Sequence, residues 1–391
     1  MKFQIKKNIT DILFVILIIG ILLLPMFFLN KNEISKFENR QLATLPAIKT
    51  KDNKINFNFG KDFEEYFKDR FFLRNQFIQF YCNVKYYLSI TIYQYENKFY
   101  NKKTNLMIGK IYNWIPSLND KEKEATIANL SKLKTFCNNN NIKLYILIPP
   151  GRILANKSDY YPTLINDKSY IGITNIANWI EETLDIKVIY PYKQLADGVK
   201  YGDEPLFFKT DTHWTDTGAY IAYLALMKEI KRNFPNVKIT NLKDFRTIKL
   251  NLVRVCPVYG FFEGNYYKAM HINDKKILDT EYTYFRPAGK VIEEHKTYSG
   301  KSYIKNFYIN EDNKSAPNIF LYGDSTSLNL LPSFASSFYK TNSIFIWVNE
   351  DKELEENINI KQFEDDIIKS GADILVICFL NTTRLRYLYK D

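Results

Sequence analysis

Three features of the sequence predict an α/β fold with a mainly parallel sheet covered on both faces. Short apolar runs alternate with helical segments over residues 121–231, and the same rhythm returns over 319–379. The run at 142–148, IKLYILI, stops at Pro149-Pro150-Gly151, as a strand buried on both faces stops at a loop. Neither an internal repeat nor a low-complexity tract competes with that rhythm.

In chain order, residues 61–92 place Phe63, Tyr66, Phe67, Phe71 and Phe72 among charged residues, an amphipathic helix interrupted near Arg70. A second helix over 121–139 carries Ile127, Leu130, Leu133 and Phe136 at three-residue spacing. After the strand at 142–148 the pattern gives a helix at 173–184, a strand at 186–190 and a helix at 216–231. Residues 234–312 break the rhythm with short apolar stretches, many tyrosines and scattered Gly, Pro and Asn. They are expected to form a β-rich insertion with hairpins and long loops. The α/β pattern then resumes with a strand at 319–322, a helix after Ser325, a strand at 343–348, a helix at 362–369 and a strand at 373–379.

Residues 12–29 read ILFVILIIGILLLPMFFL, eighteen residues without a charge. As a helix they reach about 27 Å, adequate for a bilayer core of about 30 Å. Lys2, Lys6 and Lys7 precede the run, so the positive-inside rule leaves residues 1–11 in the cytoplasm and exports the rest. No A-x-A-like cleavage site follows Leu29, which favours an uncleaved anchor over a signal peptide. The expected organisation is an anchor at 12–29, a polar stalk and lead-in at 30–60, and one extracytoplasmic domain over 61–391.

The chain has 391 residues, of which 46% are hydrophobic and 25% charged, within the ordinary globular range. Its 54 Lys and Arg against 43 Asp and Glu give a net charge of +11. The excess is dispersed along the chain, which argues against a nucleic-acid-binding arm and suits a surface facing anionic polymers or lipid headgroups. Four cysteines, none in a CxxC pair, and three histidines give a structural zinc site no basis. Neither the phosphate-binding Walker pattern nor the dinucleotide glycine fingerprint occurs, and no cofactor is expected.

Ligand chemistry in such folds gathers beyond the carboxyl ends of the strands. Two segments meet that condition. In Gly323-Asp324-Ser325-Thr326 a strand runs into a small-residue turn, and Ser325 opens the following helix, where helical N–H groups can hold a developing negative oxygen. Asp and Ser are also ordinary helix-capping residues. In Asp211-Thr212-His213-Trp214 the carboxylate and imidazole are two residues apart, so an extended backbone turns them to one side. The alternative is a histidine packed beside Trp214. Thr215 or Asp216 is placed to cap the next helix, with Gly218 allowing close approach. Together Ser325, His213 and Asp211 supply a nucleophile, a base and an orienting acid. Gly151 and Arg152 past one strand end, and Asn381 and Arg384 past another, occupy rim positions suited to oxyanion or glycan contacts, or simply to solvation.

These residues resemble the DHHW group of SGNH-hydrolase-like proteins, related to the periplasmic alginate O-acetyltransferases and their Gram-positive counterparts. The landmarks are Phe37-Glu38-Asn39-Arg40-Gln41-Leu42, Leu45-Pro46, the stretch FEEYFKDRFFLRN at 63–75, Asp211-Thr212-His213-Trp214 and Gly323-Asp324-Ser325. The resemblance implies a three-layer SGNH-like domain and a triad of Asp211, His213 and Ser325, in the order opposite to ordinary SGNH esterases. Thr212 stands where the group has its first histidine, and Thr326 replaces the usual bulky apolar residue after the serine. The implied activity is transfer of an acetyl group through a serine ester onto hydroxyls of a cell-surface or secreted polysaccharide. A multi-pass membrane acyltransferase is the implied acetyl supplier. A carbohydrate acetylesterase and a noncatalytic polysaccharide-modification subunit are the competing readings.

Overall fold

In the computed structural model the described residues are 9–20, 28–35, 40–49, 52–90, 92–95, 98–102, 106–108, 117–151, 169–196, 204–208, 213–251, 281–297, 303–346, 360–380, 382 and 385. They fall into two compact units, one holding those up to Tyr95 and the other those from Lys98 onward.

In the first unit the amphipathic pattern resolves into helices α1 (Phe59–Arg70) and α2 (Arg74–Leu88). The chain breaks between them, and Leu73 takes a left-handed φ of 57°. Rings close the corner, with Phe71 between Phe67 and Phe77 at centroid distances of 5.8 and 6.1 Å. Arg70 is buried and donates to three backbone carbonyls: Nε to Ala43 O at 2.8 Å, and Nη1 to Asn30 O at 2.8 Å and Asn32 O at 3.0 Å. The adjacent Asp69 accepts from Ala43 N at 2.8 Å. The lead-in expected as a stalk is therefore tied to α1, and the unit boundary falls after Tyr95 instead of at residue 60. Residues 9–20, which include the first part of the apolar N-terminal run, are helical. Among the described residues, no helix is long and apolar enough to cross a membrane.

Among the described residues the second unit holds eleven strands, of which the short pair Lys98–Asn101 and Leu106–Ile108 is antiparallel. Seven form one sheet: β1 (Lys143–Leu147), β2 (Lys187–Ile189), β5 (Val291–Thr297), β6 (Tyr303–Asn310), β7 (Ile319–Gly323), β8 (Lys340–Ile346) and β9 (Ile374–Cys378). The hairpin β3 (Arg246–Asn251) with β4 (Glu281–Arg286) stands apart from it. The sheet order is β5-β6-β8-β7-β9-β1-β2. The five strands from β8 to β2 are parallel, and β6 and β5 extend that edge antiparallel. The segment expected as a separate β-rich insertion thus contributes two strands to the main sheet, while its first hairpin remains outside.

Period-two alternation along the buried strands feeds two cores. Tyr145, Leu147, Ile319, Leu321, Ile374 and Val376 face one, and Leu144, Ile146, Phe320, Tyr322, Leu375 and Ile377 the other. The first is covered by α5 (Asp216–Asn233) and α6 (Leu331–Ser337), through Tyr223, Leu226, Ile230 and Phe334. The second is covered by α3 (Asp120–Asn139), α4 (Ser169–Leu184) and α7 (Ile360–Ser370), through Leu130, Leu133, Ile180, Phe363 and Ile367. This is a three-layer α/β/α arrangement. At the head of α3, Asn119 and Glu122 form a reciprocal capping box, the Asn119 side chain accepting from Glu122 N at 2.9 Å and the Glu122 carboxylate from Asn119 N at 3.0 Å. Cys82, Cys137 and Cys378 are all fully buried.

Candidate functional site

Strand β7 ends at Gly323, where the backbone of β9 approaches so closely that an added Cβ would lie 2.3 Å from Cys378 O. The chain then turns into a 3-10 segment, Ser325–Leu330, in place of the α-helix expected directly after Ser325; α6 follows it. Asp324 takes the capping role. Its Oδ1 accepts from Thr326 N at 3.0 Å and from Thr326 Oγ1 at 2.5 Å, and its Oδ2 accepts from Leu380 N at 3.0 Å. With Asp324 closing the turn, the Ser325 hydroxyl is not used for capping. From Leu321 to Leu330 every residue is buried except Ser325, which is partly open to solvent.

The opposing side chain comes from the head of α5. Residues 205–208 run antiparallel to 213–215: Phe208 N donates to His213 O at 3.1 Å and Thr215 N to Leu206 O at 2.9 Å. Thr215 caps α5, accepting from Gly218 N at 3.2 Å while donating to Pro205 O at 2.7 Å. Trp214 is buried, and its indole N–H reaches across to Thr326 O at 2.9 Å, joining the two turns. His213, 6% exposed, brings Nε2 to 2.7 Å from Ser325 Oγ. Across 112 residues of sequence, the geometry required of a serine and its base is met.

A further carboxylate braces the arrangement. Asp216, one residue beyond the cap, is buried and accepts from Phe285 N of β4 at 2.7 Å and from Asn329 Nδ2 at 2.6 Å. It thereby ties α5 to the hairpin and to the 3-10 segment that carries Ser325. Burial pushes its carboxyl up to about 6, against the opposing pull of those two hydrogen bonds. Burial and the neighbouring Asp324 carboxylate likewise raise the Cys378 thiol, so it is no competing nucleophile at neutral pH.

The raised carboxyl sets a stability prediction. Folded Asp216 holds its proton more tightly than the unfolded chain, whose carboxyl titrates near 3.9, so its contribution is fully present below about pH 4. That contribution is lost as pH rises through about 6, and amounts to about 3 kcal/mol. Asp216→Asn should remove this slope. Asn329 Oδ1, a buried atom without a hydrogen-bond partner, can turn to accept from the new amide. Denaturant unfolding of both proteins at pH 4 and 7 checks it, and parallel pH dependences would refute it.

Asp324 offers a second test. Asp324→Ala leaves Thr326 N, Thr326 Oγ1 and Leu380 N without their acceptor, a loss of about 2–4 kcal/mol in unfolding free energy. Unfolding in urea measures it, and a change below about 1 kcal/mol would show that the turn holds by itself.

Of the residues singled out in the sequence, the structure brings Ser325 and His213 together. Gly151 lies past the carboxyl end of β1, with open space where a side chain would project. Strand β9 separates β1 from β7, so Gly151 and Ser325 leave the same edge of the sheet two strands apart. Asp211, Arg152, Asn381 and Arg384 lie outside the described residues. Sequence reasoning offered Asp324 only as one of two possible caps, and missed the bracing by Asn329 and the Trp214 link. It offered Asp216 only as an alternative cap. The available signals were an aspartate directly before the serine with a threonine two residues on, and a second acidic residue in a helix already capped by threonine.

Residues 115–255 match the family model of the ALGX SGNH hydrolase-like domain, acetyltransferase AlgX. Among solved structures, a DHHW family protein from Eubacterium siraeum is 16% identical, with a TM-score of 0.51 over 74% of this chain and 92% of that one. PatB1 of Bacillus cereus is 16% identical over 76% of this chain and 99% of that one, at 0.49. The O-acetyltransferase domain of Pseudomonas putida AlgJ is 12% identical over 77% and 93%, at 0.42. No curated protein sequence matches this chain significantly. The chain is therefore similar in sequence to an SGNH hydrolase-like acetyltransferase domain and shares its fold with a DHHW protein.

Proposed function

We propose that this protein is a serine-dependent O-acetyltransferase that acts on hydroxyls of a cell-surface or secreted polysaccharide. The observation that carries the proposal is the 2.7 Å approach of His213 Nε2 to Ser325 Oγ, at the one partly open position of a buried turn. The match of residues 115–255 to an acetyltransferase domain model supports the same class.

In the first step His213 takes the proton from Ser325 as Oγ attacks the donor's acetyl carbon. The tetrahedral adduct then collapses, the bond to the donor's leaving oxygen or sulfur breaks, and that atom takes the proton back from His213. In the second step His213 deprotonates a sugar hydroxyl, which attacks the acetyl-serine ester. The Ser325 Oγ–carbon bond breaks and the serine regains its proton. Asp211 holds the imidazole with its proton on Nδ1, leaving Nε2 to work as the base. The Ser325 N–H at the head of the 3-10 turn is assigned to the oxyanion of each adduct, and Gly151 N–H joins it only through a loop that closes across β9. Arg152, Asn381 and Arg384 contribute to the rim that receives the glycan.

Residues 12–29 anchor the protein in the cytoplasmic membrane with the catalytic unit outside. There the acetyl group comes from a multi-pass membrane acyltransferase, and tethering both in one bilayer raises their effective concentration. Incubation with a soluble acetyl ester and an oligosaccharide tests the transfer. Acetylated sugar is the expected product, whereas free acetate alone, unchanged by added sugar, would make the protein an esterase.

A further inference from the structure

The first unit carries a surface that the acyl chemistry does not use. Around α2, at 100° per residue, Phe77, Phe80, Tyr81, Val84, Tyr87 and Leu88 fall within an arc of about 120°. This stripe is turned outward: Phe77 is 58%, Phe80 70%, Tyr87 69% and Leu88 78% exposed. The buried residues Cys82 and Tyr86 lie on the opposite side of the helix. The outer stripe is thus a second apolar face in addition to the one packed inward, and six adjoining large side chains exceed the scattered apolar exposure of an ordinary surface.

Its place in the chain identifies the occupant. The apolar run at 12–29 leads directly into the α1–α2 corner: the Phe28 ring lies 5.5 Å from that of Phe72, and Asn30 N donates to Arg70 O at 2.8 Å. Arg70 returns a bond to Asn30 O at 2.8 Å, so no slack separates residue 30 from the end of α1. A bilayer entered at residue 29 therefore meets α2 within a few residues of its surface. The stripe mixes phenylalanines with two tyrosines, rings suited to the headgroup boundary, and Arg74 and Lys85 flank it with positive charge for anionic headgroups. It is a single convex helix face, not a groove shaped for a peptide.

We propose that α2 lies in the outer interface of the membrane, its aromatic stripe sunk among the lipid headgroups, so that the first unit forms a fixed foot for the exported chain. This rests on the reading of residues 12–29 as an anchor, and the test separates the two. The full chain, in a Cys256→Ser background, carries single cysteines labelled with bimane at Phe77→Cys, Val84→Cys, Gln79→Cys or Leu17→Cys. The proteins are reconstituted in phosphatidylglycerol–phosphatidylcholine vesicles containing doxyl-labelled lipid. Positions 77 and 84 should be quenched several-fold more than 79, which points about 160° away from 77; position 17 should be quenched strongly. Quenching at 17 with none at 77 and 84, or equal quenching at 77 and 79, overturns the docking and leaves the anchor standing. Absence of quenching at 17 and 77 alike removes both. Acetyl-ester turnover by the same vesicles reports the Ser325 chemistry independently, since none of the four positions touches it.

Discussion

Ser325→Ala is expected to lower turnover of a soluble acetyl ester by at least about a thousandfold, because the nucleophile itself is lost while binding contacts remain. The protein should also lose the ability to become acetylated. Mass spectrometry of the intact chain, quenched in acid after mixing with ester, reads a single acetyl addition on the parent and none on the variant. His213→Ala should cost a similar factor, and the double variant little more, because the two groups act as one unit. Stability should barely change, since Ser325 is partly solvated and Asp324 carries the capping bonds that shape the turn. A Ser325→Ala protein that still acquires acetyl at the parent's rate would end the serine-ester mechanism.

The second large effect is expected from Gly218→Ala, at a residue that touches no reacting atom. A Cβ there would stand 2.1 Å from Leu206 O and 3.1 Å from Trp214 Cβ. Leu206 O already accepts from Thr215 N, so it cannot withdraw without opening the loop that presents His213. Relief requires a backbone shift of the order of 1 Å, costing about 3 kcal/mol or more. Whatever part of the shift reaches His213 lengthens its contact with Ser325, and a misplacement of about 1 Å costs about a hundredfold in rate. Unfolding midpoints and ester turnover together measure the two parts. A variant with parental stability and parental turnover would show that the close approach is not needed.

The central strands were legible because burial on both faces leaves them as continuous apolar runs, and each of β1, β7 and β9 stands where such a run occurs. β5 and β6 were harder. Their residues include Glu293, Glu294, Lys305 and Asn306, and the register that joins β6 to β8 depends on pairing partners some forty residues away. The lead-in misled for a different reason. Arg70 looks like an ordinary charge at the end of an amphipathic helix, and nothing local announces that its guanidinium will collect carbonyls from residues 30, 32 and 43. At the candidate site, the residue types were legible and their distance was not. Asp324 and Ser325 are both competent caps, and only the backbone course decides that the first closes the turn and the second faces the imidazole. Thr215 and Asp216 pose the same choice, which is settled when Thr215 takes Gly218 N and Asp216 is enclosed by β4 and Asn329.

β9 has one more consequence. Among the described residues it is the last strand in the chain, yet it occupies the slot between β7 and β1, and Leu380 just beyond it holds the Asp324 carboxylate. The centre of the sheet stays unfilled until residues 374–378 have been made. Until then the serine loop has no carbonyl from Cys378 to seat it and no amide from Leu380 to clasp it. A chain made only as far as β8 therefore lacks both supports of the Ser325 turn, and they arrive together with the keystone strand.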